Sequence, residues 1–149
     1  MYLTQYTDYG LRVLIYMAIN DDALVNISEI ADAYKISKSH LMKVVTALVK
    51  GGFVESIRGK GGGLRLGKPA RQISVGAVVR YMEPMKLVEC MSEDDKCLIT
   101  QNCRLAGVLS GSIKAFLNYL DSFTLEDLVN KPTYDLLYTP KVVVEEEQV

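Results

Sequence analysis

Three cysteines, Cys90, Cys97 and Cys103, lie within fourteen residues in the spacing C-x6-C-x5-C. Thiolates are soft ligands that suit iron–sulfur clusters or zinc. An odd number of cysteines does not read as a disulfide framework. The tight C-x2-C pairs of a zinc ribbon are missing, which makes structural zinc the weaker reading. The plain alternative is three inert, buried cysteines, since a free cysteine packs as a small hydrophobe. The polar stretch Glu93-Asp94-Asp95-Lys96 between them is unsuited to a core and favours ligation. Three thiolates leave one iron of a four-iron cluster open, so such a cluster needs a further ligand.

A second set of residues suits a polyanion. From Lys35 to Arg71 the chain carries nine basic residues against a single acid, Glu55. From Tyr81 to Val149 it carries six basic residues against twelve acidic ones. The net charge of −1 hides this asymmetry. A solvated helix face explains some of the lysines but not the near absence of acids among them. Ser37, Lys38, Ser39, His40 and Lys43 cluster at the start of one apolar-periodic segment, where side chains of a helix in the major groove meet base edges and phosphates. His40 is either such a contact or merely a solvent-exposed residue. Arg58 and Lys60 sit in the run Arg58-Gly59-Lys60-Gly61-Gly62-Gly63, and glycines let a backbone approach a groove closely. A phosphate-cradling P-loop does not fit, because a strand rather than a helix follows the glycines. With one histidine, His40, and no nucleophile–base pair in view, no enzyme is expected.

These residues need elements to hold them. Leu11, Leu14, Ile15, Ala18 and Ile19 share a face of a helix predicted over Tyr9 to Asn20, with Thr7 or Asp8 as its cap. Asn26 and Glu29 form a capping-box-like start to a short helix ending near Tyr34. Ser37 caps a helix from Lys38 to Lys50, whose Leu41, Val44, Val45 and Leu48 recur at helical period; Gly51-Gly52 ends it. The intervening Lys35-Ile36-Ser37 turn makes the pair a helix-turn-helix. Phe53 to Ile57 and Leu64 to Leu66 read as strands of a basic-tipped hairpin. The expected fold is therefore mainly α with a small β-hairpin wing. Ser74 to Glu83 reads as another short helix stopped by Pro84.

The cysteine segment lacks periodicity and reads as a loop. Leu105, Leu109, Ile113, Phe116 and Leu120 then mark a helix of about 27 Å. That stripe either packs on its own domain or, lying beyond a compact wing, pairs with a second subunit; the second reading is preferred. The organisation is a winged helix-turn-helix DNA-binding domain over 1–84, a cluster-binding loop over 85–104, a dimerisation helix and following segment over 105–138, and a fraying tail over 139–149. Apolar residues make up 49% of the chain, enough for a core. No apolar run approaches the ~18 residues a bilayer span needs, so no membrane association is expected. The start has no basic n-region and carries Asp8, so it does not read as a secretory signal and a cytoplasmic protein is expected.

Thr7-Asp8-Tyr9-Gly10-Leu11-Arg12, the run from Arg58 through Gly63-Leu64-Arg65-Leu66-Gly67-Lys68, and the three cysteines together resemble the iron–sulfur winged-helix regulators typified by IscR and NsrR. The likeness runs from about residue 1 to 130. The opening residues, Glu83-Pro84 and Leu87-Val88-Glu89-Cys90 are most similar to the NsrR-type, nitric-oxide-sensing repressors. The resemblance implies a homodimer that binds double-stranded operator DNA at an inverted repeat. It implies an iron–sulfur cluster on Cys90, Cys97 and Cys103, with 4Fe-4S favoured over 2Fe-2S. IscR-like members place a histidine three residues after the last cysteine; here that residue is Ala106. NsrR-type members point instead to a carboxylate, the partner subunit's Asp8, as the remaining ligand. Helix capping is the competing role for Asp8. Arg12, one turn on, is placed to hold Asp8 or offset cluster charge. The six residues between Cys90 and Cys97 exceed the four or five of many relatives and alter the loop more than the ligand set. Other readings are a regulator of redox state or cluster biogenesis on the same fold, and a zinc-stabilised module that binds protein.

Overall fold

The computed structural model describes residues 2–141. Helix α1 (Gln5–Ile19) begins at Gln5 rather than Tyr9. Its cap is Thr4, whose side chain accepts from the Thr7 N–H at 3.4 Å, so neither Thr7 nor Asp8 caps it. Thr4 is fixed from far along the chain. One oxygen of Glu83, Oε2, accepts from the Thr4 N–H at 3.0 Å, from the Thr4 hydroxyl at 2.9 Å and from the Thr7 hydroxyl. A carboxylate at a helix N-terminus is favoured by the local dipole and satisfies donors that lack intrahelical partners.

Helix α2 (Ile27–Tyr34) starts at the expected capping box. The Glu29 N–H donates to Asn26 Oδ1 at 3.0 Å, and Asn26 Nδ2 donates back to Glu29 Oε1 at 2.9 Å. Lys35 closes α2 in the left-handed region, φ 56°, and makes the sharp turn of the helix-turn-helix. Helix α3 (Lys38–Lys50) is capped by Ser37, which accepts from the His40 N–H at 3.3 Å. Strands β1 (Val54–Ile57) and β2 (Gly63–Leu66) pair antiparallel, Val54 opposite Leu66 and Ile57 opposite Gly63. Gly59 and Gly61 take φ of 97° and 77° at the tip, which side-chain-bearing residues rarely adopt. Val25 joins the hairpin through reciprocal bonds with Leu64 of 2.9 and 2.7 Å, which sets the wing against the α1–α2 connection.

The core lies where α1, α3 and the hairpin meet. Leu14 and Met17 of α1 and Leu41 and Leu48 of α3 are essentially inaccessible, with Val54 and Leu64 closing the wing side. Helix α4 (Val75–Met82), capped by Ser74, packs on α1 so closely that Met82 sulfur lies over the bare Cα of Gly10. Glu83, expected to end α4, is extended. That turn points its carboxylate at α1.

Helix α5 (Arg104–Asp121) divides its apolar stripe. Its C-terminal half packs at home: Leu117 is buried, and Arg80 of α4 holds Asp121 through two bonds of 2.5 and 2.6 Å. Gly76 admits this contact, since a Cβ there would strike the Asp121 carboxylate. Its N-terminal half is left open, with Leu105 58% and Val108 64% exposed. Of the stripe itself, Leu109, Ile113, Phe116 and Leu120 are half-buried and Leu105 is exposed, so packing on its own domain is seen toward the C-terminal end and the start of the helix is uncovered within the protomer. A further helix, α6 (Lys131–Leu137), follows an Asn130 cap with Pro132 in its first turn.

The segment after α6 returns to α1 and α2. Asn20 is buried at the end of α1. Its Nδ2 donates to the carbonyls of Tyr16 at 3.0 Å and Leu137 at 3.1 Å, and its Oδ1 accepts from the Thr139 N–H at 2.8 Å. The Tyr138 hydroxyl donates to Asp22 at 2.8 Å, and Lys141 pairs with Glu29. Residues 139–141 of the expected tail are thus tied to α1 and α2; residues 142–149 lie outside the described residues. Asn20→Leu conserves size but strands the Leu137 carbonyl and the Thr139 N–H. Each group left unpaired should cost about 1–3 kcal/mol. Urea titration is expected to show a lower midpoint, and an unchanged midpoint would mean that the latch adds nothing to stability.

Candidate nucleic-acid interface and cysteine segment

Helix α3 presents two chemically distinct faces. Leu41, Val44, Val45 and Leu48 point into the core. Ser37, Lys38, Ser39, His40 and Lys43 are all exposed at its N-terminal end, as a reading helix requires. Arg58 and Lys60 are exposed at the wing tip, and no ion pair neutralises either among the described residues. Arg65 differs, because its guanidinium donates to Glu55 across the hairpin at 2.8 Å. That bond holds the Glu55 carboxyl below its usual range. The one acid of the basic stretch is therefore spent on a strand residue and leaves the tip charges free. An open groove of about 730 Å³ separates α3 from the hairpin, lined by Met42, Thr46, Lys50, Ser56 and Arg58 among others. Sequence reasoning missed Met42 and Thr46; both follow from the same periodicity, as residues left outside by the buried set.

The cysteines lie between α4 and α5 in a segment shaped by short-range bonds. Glu89–Met91 and Thr100–Asn102 form single 3-10 turns. Asp95 Oδ1 accepts from the Cys97 N–H at 2.9 Å and the Thr100 hydroxyl at 3.1 Å, and Glu89 accepts from the Lys96 N–H at 3.2 Å. All three thiols are free, Cys97 exposed and Cys90 and Cys103 half-buried. Burial pushes the Cys90 thiol pKa up, and nearby Asp95, Cys103 and Cys97 add to the shift. Among the described residues, no three Cys, His, Asp or Glu side chains converge into a group able to hold a metal. The donors fit an iron–sulfur cluster in kind; the segment must close around one to bring them together.

Asp8 stands on the first turn of α1, away from capping duty. Both its oxygens accept from Arg12, at 3.1 and 2.9 Å, on an exposed surface. Arg12 also lies 5.8 Å from the Tyr9 ring centroid and 5.9 Å from that of Tyr34, within cation–π range. The Tyr34 hydroxyl donates to the Arg12 carbonyl at 2.9 Å, and burial pushes its pKa up to about 12. Within one protomer, Asp8 does not join the cysteines in a metal-holding group.

A family model described as "Rrf2: Iron-dependent Transcriptional regulator" matches residues 3–131. Among solved structures, CymR of B. subtilis, titled a global cysteine regulator, is 29% identical with a TM-score of 0.63, over 86% of this chain and 95% of that one. CymR of Staphylococcus aureus is 26% identical with a TM-score of 0.65, over 86% and 100%. IscR of T. potens, at 23% identity, shares the fold with a TM-score of 0.69 over 90% and 96%. The family match spans the reading head, the cysteine segment and α5 without a break, and the chain belongs to the Rrf2 family of transcriptional regulators.

Proposed function

We propose that this regulator is a homodimeric repressor that binds an inverted-repeat operator, with its affinity set by an iron–sulfur cluster that responds to nitric oxide. The observation that carries the DNA-binding part is the exposed, unpaired basic set of α3 and the wing tip. Two such heads related by a two-fold axis read half-sites about one helical turn apart. The open half of α5, with Leu105 and Val108 uncovered, supports the pairing of subunits.

The sensory part rests on three free thiols placed between the reading head and α5. When bound, an iron–sulfur cluster supplies iron that nitric oxide attacks. Cys90, Cys97 and Cys103 would hold it, and the partner subunit's Asp8 is the candidate for the remaining position. Carboxylate is a hard ligand beside soft thiolates, so that bond would be the weakest of the set. In the present structure Asp8 belongs to Arg12 instead. Arg12 would thus compete with a cluster for the carboxylate. A second reading, a regulator of redox state or cysteine supply, is favoured by the likeness to a global cysteine regulator and by thiols that do not yet converge. Nitric oxide, disulfide reagents and cysteine limitation, applied separately to the purified dimer–operator complex, distinguish the readings.

Arg58→Ala and Lys43→Ala should each weaken operator binding without unfolding the protein, by about 1–3 kcal/mol for a base contact. Mobility shifts over a salt series measure this, and unchanged affinity in both variants would place the DNA on another surface. Alanine at any one of Cys90, Cys97 or Cys103 should destabilise the cluster and remove tight operator binding. Iron and sulfide analysis after anaerobic purification reads the first effect. Colourless protein with stoichiometric zinc would instead support the zinc module. Asp8→Ala should keep iron on the cysteines while altering its reactivity or the operator affinity. A variant matching wild type in spectrum, nitric-oxide response and DNA binding reduces Asp8 to the surface partner of Arg12.

A further inference from the structure

We infer that Met42 is a base-reading residue, an apolar probe for the C5 methyl of a thymine in each operator half-site; the inference rests on the DNA-binding reading above. Met42 lies in the second turn of α3, immediately after the polar cluster at its start, and is 53% exposed. It is the most exposed large apolar side chain of that helix, on the flank of the stripe that enters the core. Stability explains it only in part, since a methionine with half its surface left in water forgoes much of the gain of burial. It lines the groove between α3 and the wing, facing Ser56 and Arg58 across it.

The surroundings select a duplex as the occupant. Lys38, Lys43, Lys50 and Arg58 are exposed around Met42 and carry no ion pair among the described residues. Helix α3 itself contains no acid. The groove's one acid, Glu55, is already paired with Arg65, so an apolar spot beside unpaired cations remains, which fits a ligand with negative edges and an apolar point between them. The major groove has that pattern, with phosphates on both sides and the thymine methyl as its apolar group. Thr46, one turn further on, strengthens the match. Its hydroxyl donates back to the Met42 carbonyl at 2.7 Å, so its polar atom is engaged with the helix and its methyl extends the apolar surface. Methionine suits the task because its unbranched thioether adapts to a methyl whose position shifts with local DNA shape. The neighbouring lysines give affinity for any sequence; Met42 adds discrimination at one base pair.

The test uses the full-length protein and operators selected from a random-sequence duplex library. Each thymine of the selected half-site is replaced in turn by deoxyuridine, which removes the C5 methyl and leaves the pairing unchanged. At one position per half-site, wild type should lose about fourfold in affinity for the missing methyl. Met42→Ala should bind the parent duplex more weakly and be indifferent to that same replacement, with the slope of affinity against salt unchanged. Restoring a methyl at that position as 5-methylcytosine in a C·G pair should help wild type and not the variant. Wild type that selects no duplex at all would refute the DNA-binding reading itself. Wild type that selects an operator but responds to deoxyuridine identically with and without Met42 would overturn this inference alone. Circular dichroism of Met42→Ala guards against unfolding, which exposure of the side chain makes unexpected.

Discussion

The Glu83 carboxylate is the point on which the arrangement turns. A single oxygen gathers two donors from Thr4 and one from Thr7, and so closes the N-terminus of α1 with a group from the end of α4. Hydrogen bonds to an ionised acceptor are among the stronger ones, and here the helix dipole adds to them. The positions of two other features follow from this bond. Asp8 is displayed one residue beyond Thr7, so its height on α1 is set by where the helix begins. The cysteine segment leaves the body directly after Glu83, with Pro84 preventing any continuation of α4. The candidate ligands are therefore anchored to one another through the chain, although they form no site within a protomer.

What could be read from the sequence follows the range of the forces involved. Helices α2 and α3 begin where expected because their caps, Asn26 and Ser37, act within three residues. The hairpin register follows from strand alternation and a glycine tip, which are equally local. The start of α1 was placed too late because the cap that fixes it, Thr4, is stabilised by Glu83 from 79 positions away. Nothing near Thr4 signals that partner. Helix α6 had local signals in Asn130 and Pro132, but seven residues are too few for a hydrophobic period to stand out. At the candidate site, the exposure of Ser37, Lys38, Ser39, His40, Lys43, Arg58 and Lys60 was legible as the complement of the buried pattern. The Arg12–Tyr34 contact was not, because it joins two helices through the aromatic faces of side chains that also read as ordinary core.

Charge is distributed by the same economy. The basic stretch contains one acid, and the fold assigns Glu55 to Arg65 on the strand pair, leaving the tip and the reading helix with net positive charge. On the far side of the molecule, Asp121 is taken up by Arg80, and this pair orients α5 relative to the head. Its carboxyl is held below the usual range mainly by the hydrogen bond from Arg80, so the clasp stays intact until the solution becomes more acidic than an ordinary aspartate tolerates. A subunit interface formed along the open half of α5 would inherit its direction from that clasp.

The latch at Asn20 has a consequence for how the protein is made. Asn20 lies early in the chain, yet its partners are the backbones of Leu137 and Thr139. A ribosome releases α1, α2, α3 and the wing long before those partners exist. Until residues 137–141 emerge, the buried amide at the end of α1 has only the Tyr16 carbonyl to donate to, and Glu29 lacks its lysine. The DNA-reading half is thus translated first and completed last. Separations of this length slow the final step of folding, because a long loop must close before the contact is formed. A nascent head therefore waits in an unfinished state for most of its synthesis, and becomes fully assembled only when the cysteine segment and α5 are already present.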